Sequence, residues 1–237
     1  MKLQNVSTLV LIRHGESVRN IAEKSGPFFE NYEARKKFGR VRDRLIPLTR
    51  NGVRQARKAG RWLKRLFGVP DWLFHSGFVR TRQTTDGILS AYSKKELLRT
   101  RIQENRLIRE RDAGYFSDFT QKEIQELFPW WNNYWHNHDR FLTVPFGGES
   151  IVSVCEGRLL TFLKLLEDFS YKKGGKKIFL VSHGRAILGM RYLLEDWSYE
   201  KMNDALANEN LLNCSVTYYL FDPYGRPHLQ FANRILR

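Results

Sequence analysis

The chain has 237 residues, 42% hydrophobic and 14% aromatic, enough for a substantial core in one large domain or two small ones. A charged fraction of 27%, with no long apolar run, excludes disordered, fibrous and membrane-spanning classes. The formal net charge of +15 points to anionic partners: phosphate esters, nucleic acid or acidic surfaces.

In chain order, Ser7 to Arg13 reads as a buried strand built on Leu9-Val10-Leu11-Ile12. With only Lys2 ahead of it, this run does not look like a signal peptide, and a cytoplasmic location is expected. A helix opened by Gly15 follows, to about Lys24. Residues 25 to 46 are mixed, with Gly26-Pro27, Phe28-Phe29 and a basic stretch, and read as an inserted excursion. Thr49 caps a helix with Val53, Ala56, Ala59, Leu63 and Leu66 on one face, ending near Gly68 and Pro70. Asp71 to His75 is a short strand, Thr81 to Ser93 a helix, and Leu97 to Ile102 another strand. Thr120 caps a helix up to Phe128-Pro129. A second excursion, residues 129 to 147, carries Trp130, Trp131, Tyr134 and Trp135, read as a hydrophobic cap. Ser150 to Tyr171 is a long amphipathic helix with Val154, Leu159, Phe162, Leu163, Leu166 and Phe169 inward. Lys177 to Val181 is a third buried strand, Arg185 to Leu194 a helix. Cys214 to Phe221 and His228 to Ala232 are strands joined by Asp222-Pro223-Tyr224-Gly225.

Strands alternating with helices imply a single α/β domain: a three-layer sandwich, mostly parallel central sheet with helices on both faces. The two cysteines, Cys155 and Cys214, lack close spacing and are expected to be reduced thiols. His136 and His138 do not suggest a metal site. The basic runs Arg35-Lys36-Lys37, Arg54 to Arg65, Arg99 to Arg111 and Lys172 to Lys177 come without zinc-finger spacing or an RNP-type motif. They read as solvated faces, and nucleic-acid binding is not expected as the primary role.

In such sheets ligands sit at the carboxyl ends of strands, where helix N-termini present free N–H groups. The residues after Ile12, His75 and Val181 should therefore converge. They are Arg13-His14-Gly15-Glu16-Ser17, Ser76 to Arg82, and Ser182-His183-Gly184-Arg185. Arginine forks match phosphate oxygens bidentately. A neutral imidazole among them is a good nucleophile toward phosphorus, because the guanidiniums neutralise the repelling charge. Glycine after each histidine would let backbone approach an anion.

These motifs, in this order, resemble those of the histidine phosphatase superfamily, the phosphoglycerate-mutase-like fold. Arg13-His14-Gly15-Glu16-Ser17 with Asn20 is similar to its nucleophile motif. Asp43, Pro47-Leu48-Thr49, Gly52 and Gln55-Ala56 are similar to its second. Ser76 to Thr84, Glu110 with Gly114, Gly147-Gly148-Glu149-Ser150 and Ser182-His183-Gly184 complete the set. The resemblance implies that His14 becomes phosphohistidine and that Arg13, Arg80, His183 and Gly184 hold the phosphoryl group. It further implies polar contacts from Ser17 and Asn20, and a proton donor at Glu110, with Asp112 the rival. It implies a phosphorylated small-molecule substrate, no cofactor and no metal; the composition, with no spanning segment, leads to no membrane partner being expected. Arg109-Glu110-Arg111-Asp112-Ala113-Gly114 lacks the Glu-Arg-His-Tyr-Gly form of cofactor-dependent mutases, so hydrolysis is expected over mutase-type transfer. A non-catalytic phospho-ligand binder is the alternative of another class. Lys37, Arg40 and Arg42 are candidates for a distal anionic group on the substrate.

Overall fold

The computed structural model describes residues 1–23, 29–38, 41–169 and 175–237, without the side chains of Trp135, His136 and Phe169. The expectations for Lys24, Gly26-Pro27, Phe28, Arg40, Tyr171 and Lys172-Lys173, and for those three side chains, lie outside the described residues.

The first strand, β1 (Val6–Arg13), holds Leu9, Val10, Leu11 and Ile12 completely buried. Alternation along a strand sends neighbours to opposite faces. Here Leu9 and Leu11 enter one core cluster, Val10 and Ile12 the other. After β1 come α1 (Val18–Glu23), α2 (Tyr32–Phe38), α3 (Arg50–Phe67), β2 (Trp72–His75), α4 (Val79–Leu89), α5 (Lys94–Leu97) and β3 (Arg101–Glu104). There follow α6 (Gln121–Leu127), α7 (Pro129–Asn137), α8 (Ile151–Ser153), α9 (Leu160–Phe169), β4 (Lys176–Ser182), α10 (Gly184–Glu195), α11 (Tyr199–Asn208), β5 (Val216–Phe221) and β6 (Pro227–Arg234). The sheet order is β3-β2-β4-β1-β5-β6. The pairs β3/β2, β2/β4 and β4/β1 are parallel, whereas β5 and β6 add an antiparallel edge. Leu63 of α3 and Ile88 of α4 pack on one face. Phe162, Leu163 and Leu166 of α9, with α10 and α11, cover the other. The expected α/β sandwich is present.

Several boundaries moved for local reasons. The first helix starts at Val18, not Gly15, because the Ser17 hydroxyl accepts from Asn20 N (3.2 Å) and caps it there. Leu66 of α3 is 54% exposed, since the chain turns at Gly68 and Phe67 instead packs on Phe179 and Tyr218. The helix expected to reach Ser93 ends at Leu89, because Ser93 and Glu96 form a reciprocal capping box that starts α5. That turn moves the edge strand from Leu97–Ile102 to Arg101–Glu104. The long helix from Ile151 is interrupted by a wide π-turn over Val154–Leu159. Helix α11 had no counterpart in the sequence reading.

In the second excursion Trp131 is buried on Phe116 and Ile124, while Trp130 and Tyr134 are exposed. The Tyr134 ring stacks with His138, which hydrogen-bonds to its own helix at Tyr134 O (3.0 Å). Cys155 and Cys214 are free and buried, and burial pushes both thiols up to about 12. Among the described residues no helix is long and apolar enough to cross a membrane.

Candidate active site

Strands β1, β2 and β4 are adjacent and parallel, so their carboxyl ends deliver His14, Ser76 and His183 to one place. His14 N donates to Ser182 O across β1 and β4 (3.0 Å). The two imidazole centroids lie 5.2 Å apart with the rings inclined at 63°. Both side chains are withdrawn from solvent, His14 at 4% exposure and His183 at 0%.

The His14 Nδ1 lies 2.7 Å from Gly15 O. A carbonyl can only accept, so Nδ1 carries the proton and Nε2 keeps its lone pair. Burial first, then the Arg80 and Arg13 guanidiniums, lowers the His14 pKa well below its ordinary value against the opposing pull of Gly15 O. Gly15 itself has a different use from the one expected. A Cβ there would stand 2.6 Å from Gly52 O, so the glycine lets the turn lie on the first turn of α3. Thr49 caps that helix, its Oγ1 accepting from Gly52 N and donating to Glu16 Oε1.

His183 is held by a chain of hydroxyls. Thr81 Oγ1 donates to Phe78 O (2.8 Å), which spends its one proton. Ser76 Oγ, 3.0 Å away, must then donate to Thr81 and accept from His183 Nε2 (2.8 Å). The tautomer that results leaves His183 Nδ1 buried with no hydrogen-bond partner. Burial, followed by Arg80, His14 and Arg13, lowers the His183 pKa well below its ordinary value. Arg13 Nε is likewise buried and unpartnered. Orphaned polar atoms of this kind are rare in a settled core.

Each arginine is anchored from behind. Arg13 Nη1 donates to Leu211 O, in the connection between α11 and β5. Buried Arg80 meets Asp43 end-on: Nη1 to Oδ1 and Nη2 to Oδ2 are each 3.0 Å, and Nη1 also donates to Asp43 O (2.8 Å). Two of the five guanidinium N–H groups, on Nε and Nη2, stay available for an anion. Burial alone would raise the Asp43 carboxyl, but Arg80 and then Arg19 hold it below its usual range. The first excursion is thereby tied to Arg80.

Ser17 and Asn20 are close to His14 but bonded mainly to each other. Asn20 Oδ1 accepts from Ser17 N (3.1 Å), Ser17 Oγ (3.0 Å) and Asn213 Nδ2 (3.1 Å). Asn213 Nδ2 also donates to His14 O (3.2 Å). Asp43 was known to the sequence reading only as part of a motif, and Asn213 not at all.

Glu110 approaches from the loop after β3. Its Oε1 accepts from Arg111 N (2.9 Å) and its Oε2 from Arg185 N (3.3 Å), at the start of the helix that follows His183. It is the leading carboxylate acting on Arg13 and Arg185. Arg109 does not pair with it; Arg109 grips Glu149 bidentately (2.8 and 3.0 Å). Arg158, from the π-turn, donates to Glu149 and to the carbonyls of Leu107, Arg109 and Glu110. Asp112 is exposed and closes its own turn on Gly114 N (3.0 Å). Burial, then Arg185, brings Arg111 down to about 10. Lys37 and Arg42 are exposed, Lys37 over the Phe38 ring. Among the described residues no three His, Cys, Asp or Glu side chains are grouped to hold a metal ion.

A family model described as the histidine phosphatase superfamily (branch 1) matches residues 9–234. A 2,3-bisphosphoglycerate-dependent phosphoglycerate mutase from Rhizobium etli is 31% identical over 216 residues, 90% of each chain. One of the same name from Parvibaculum lavamentivorans is 27% identical over 92% of each. Among solved structures, the alpha-ribazole phosphatase from Shigella flexneri superposes with a TM-score of 0.72 at 18% identity, covering 96% of both chains. A mycobacterial glucosyl-3-phosphoglycerate phosphatase in complex with inorganic phosphate gives 0.71 at 21% identity, covering 97% of this chain and 98% of that one.

Proposed function

The chain belongs to the histidine phosphatase superfamily, and from that premise we propose that the whole of it forms one phosphomonoesterase domain, working through a phosphohistidine on His14. The observation that carries this reading is the pair of buried imidazoles. One, His14, is fixed with its Nε2 lone pair free, and the other, His183, has an unpartnered Nδ1.

In the first half-reaction His14 Nε2 attacks phosphorus in line, and the bond to the ester oxygen breaks. Glu110 gives a proton to that oxygen, so an alcohol leaves. Arg13 Nε, the unused N–H groups of Arg80, the Gly184 amide and a protonated His183 Nδ1 hold the three equatorial oxygens. The dianionic phosphoryl group favours that protonation, since an opposite charge at hydrogen-bond range outweighs burial. In the second half-reaction Glu110 takes a proton from water, water oxygen bonds to phosphorus, and His14 is released with inorganic phosphate. Charge neutralisation by arginine drives both steps, and neither calls for a metal. Ser17 acts behind Asn20, whose Nδ2 is left to face the anion.

A second reading, mutase-type transfer, is favoured by the 31% identity to the Rhizobium etli mutase. Against it stands the Arg-Glu-Arg-Asp-Ala-Gly segment around Glu110. Assaying hydrolysis of a phosphomonoester panel alongside phosphoglycerate isomerisation decides between them. Hydrolysis lost in His14→Ala and faster than isomerisation supports the phosphatase, and a dominant isomerisation rate overturns it.

A further inference from the structure

The amino ends of the strands, opposite the imidazoles, carry a surface of unusual make-up. Tyr92 OH donates to Gly68 O (3.1 Å), Thr100 Oγ1 to Pro70 O (2.8 Å) and Arg101 N to Asp71 O (2.9 Å). These bonds fasten residues 92–101 to the turn that ends α3, so that α5, the last turn of α3 and the start of β3 form one end of the molecule. Exposed there are Arg61, Arg65, Lys94, Lys95, Arg99 and Arg101, none in an ion pair among the described residues. Glu96 is neutralised by Lys64 at 2.8 Å. The surface continues along α3 through Arg54, Arg57 and Lys58; that 18-residue helix has no acidic residue.

Amid these cations stand three aliphatic side chains with no cover. Leu98 is 82% exposed, the most exposed large apolar side chain among the described residues; Leu66 and Ile102 are also exposed. The aromatic rings here are withdrawn or covered: Trp72 lies beneath Arg101, Trp62 beneath Arg65, and Tyr92 beneath Lys64.

We propose that this end docks on an anionic lipid surface, with Leu98 and its aliphatic neighbours entering the headgroup boundary and the arginines and lysines meeting lipid phosphates and carboxylates. Charge complementarity alone would fit any polyanion. The aliphatic knobs decide for lipid, because phosphate contacts to a duplex give a bare leucine nothing to enter, and a single strand bound without sequence preference stacks on exposed aromatics, which this end lacks among the described residues. Stable interfacial binding takes two signals, an apolar insertion and a basic patch, and both are present. That Leu98 is bare is a property of the fold, which the sequence alone does not show. The docked orientation leaves the His14 pocket facing away from the lipid, so the site stays open to soluble substrates.

The test is sedimentation of the full chain with phosphatidylcholine vesicles, with and without phosphatidylserine. Binding is expected only with phosphatidylserine and should fall as salt rises. The triple variant Lys94→Ser, Lys95→Ser, Arg99→Ser should lower the partition coefficient about fivefold per cation removed, roughly a hundredfold in all. Leu98→Ser should also weaken binding at fixed charge. Thermal melting and aryl phosphate turnover, unchanged in both variants, show that the fold is intact. No binding to phosphatidylserine vesicles, or a triple variant that binds as before, overturns the proposal. So does a Leu98→Ser variant that binds as before, or a chain that prefers an oligonucleotide, single-stranded or duplex, to the vesicles.

Discussion

Replacing Ser76 with alanine tests how the second imidazole works. The hydroxyl is 2% exposed and lies between Thr81 Oγ1 and His183 Nε2. Removing it leaves a wholly buried Nε2–H with no acceptor. For a neutral donor that costs about 1–3 kcal/mol. With His183 protonated against the phosphoryl group the lost bond is to a charged donor, worth about 1.5–3 kcal/mol. Stability should therefore fall by about 2 kcal/mol. The kcat should drop by roughly ten- to a hundredfold beyond any change in KM, because the charged form is needed most as charge develops at phosphorus. Steady-state kinetics on an aryl phosphate and a melting curve measure both. Ser76→Cys, a weak acceptor, should recover little. A Ser76→Ala enzyme that melts earlier yet keeps its kcat would refute the hydroxyl chain as a catalytic device and leave it a packing detail.

Asp43→Asn should release buried Arg80. Breaking a buried pair costs about 3–5 kcal/mol when both partners are buried; Asp43 is 39% exposed, so about 2 kcal/mol is expected. It should appear as a lower melting temperature and weaker inhibition by inorganic phosphate, and an unchanged inhibition constant would contradict the role given to Asp43. Because burial lowers His14 well below 6.5, the acid limb of kcat/KM should lie below that pH. Both histidines take up protons in the unfolded chain before the folded one. Stability should thus fall as pH drops below 6.5, by up to about 1.4 kcal/mol per pH unit for each. A double His14→Ala, His183→Ala variant that keeps the full slope would count against this. Gly52→Ala would place a Cβ 2.1 Å from Glu16 O and should destabilise by about 3 kcal/mol. Gly157→Ala, with nothing within 4 Å, should be neutral or slightly stabilising.

The convergence of the candidate residues was readable where strand ends fix it. Buried runs such as Leu9 to Ile12 and Ile178 to Val181 announce strands, and in a parallel sheet their carboxyl ends must meet; the meeting of His14, Arg80 and His183 follows from that rule. Asn213 was not readable, because it acts through His14 O and Asn20 Oδ1, nearly two hundred residues away in the chain. The anchoring of Arg13 and Arg185 by the carbonyls of Leu211 and Leu206 leaves no side-chain signature at all. Gly15 was read as making room for an anion, when its neighbour is the backbone of Gly52. The capping box of Ser93 and Glu96 was in the sequence, but the apolar pair Leu97-Leu98 beside it imitates a strand.

Covalent capture tests the account most directly. The active chain is mixed with a labelled phosphomonoester and quenched, and the label is located by peptide mapping. Phosphate on His14 Nε2, labile in acid and stable in alkali, is the expected result. Rapid turnover with no phosphorylated histidine, or undiminished hydrolysis by His14→Ala, would contradict it.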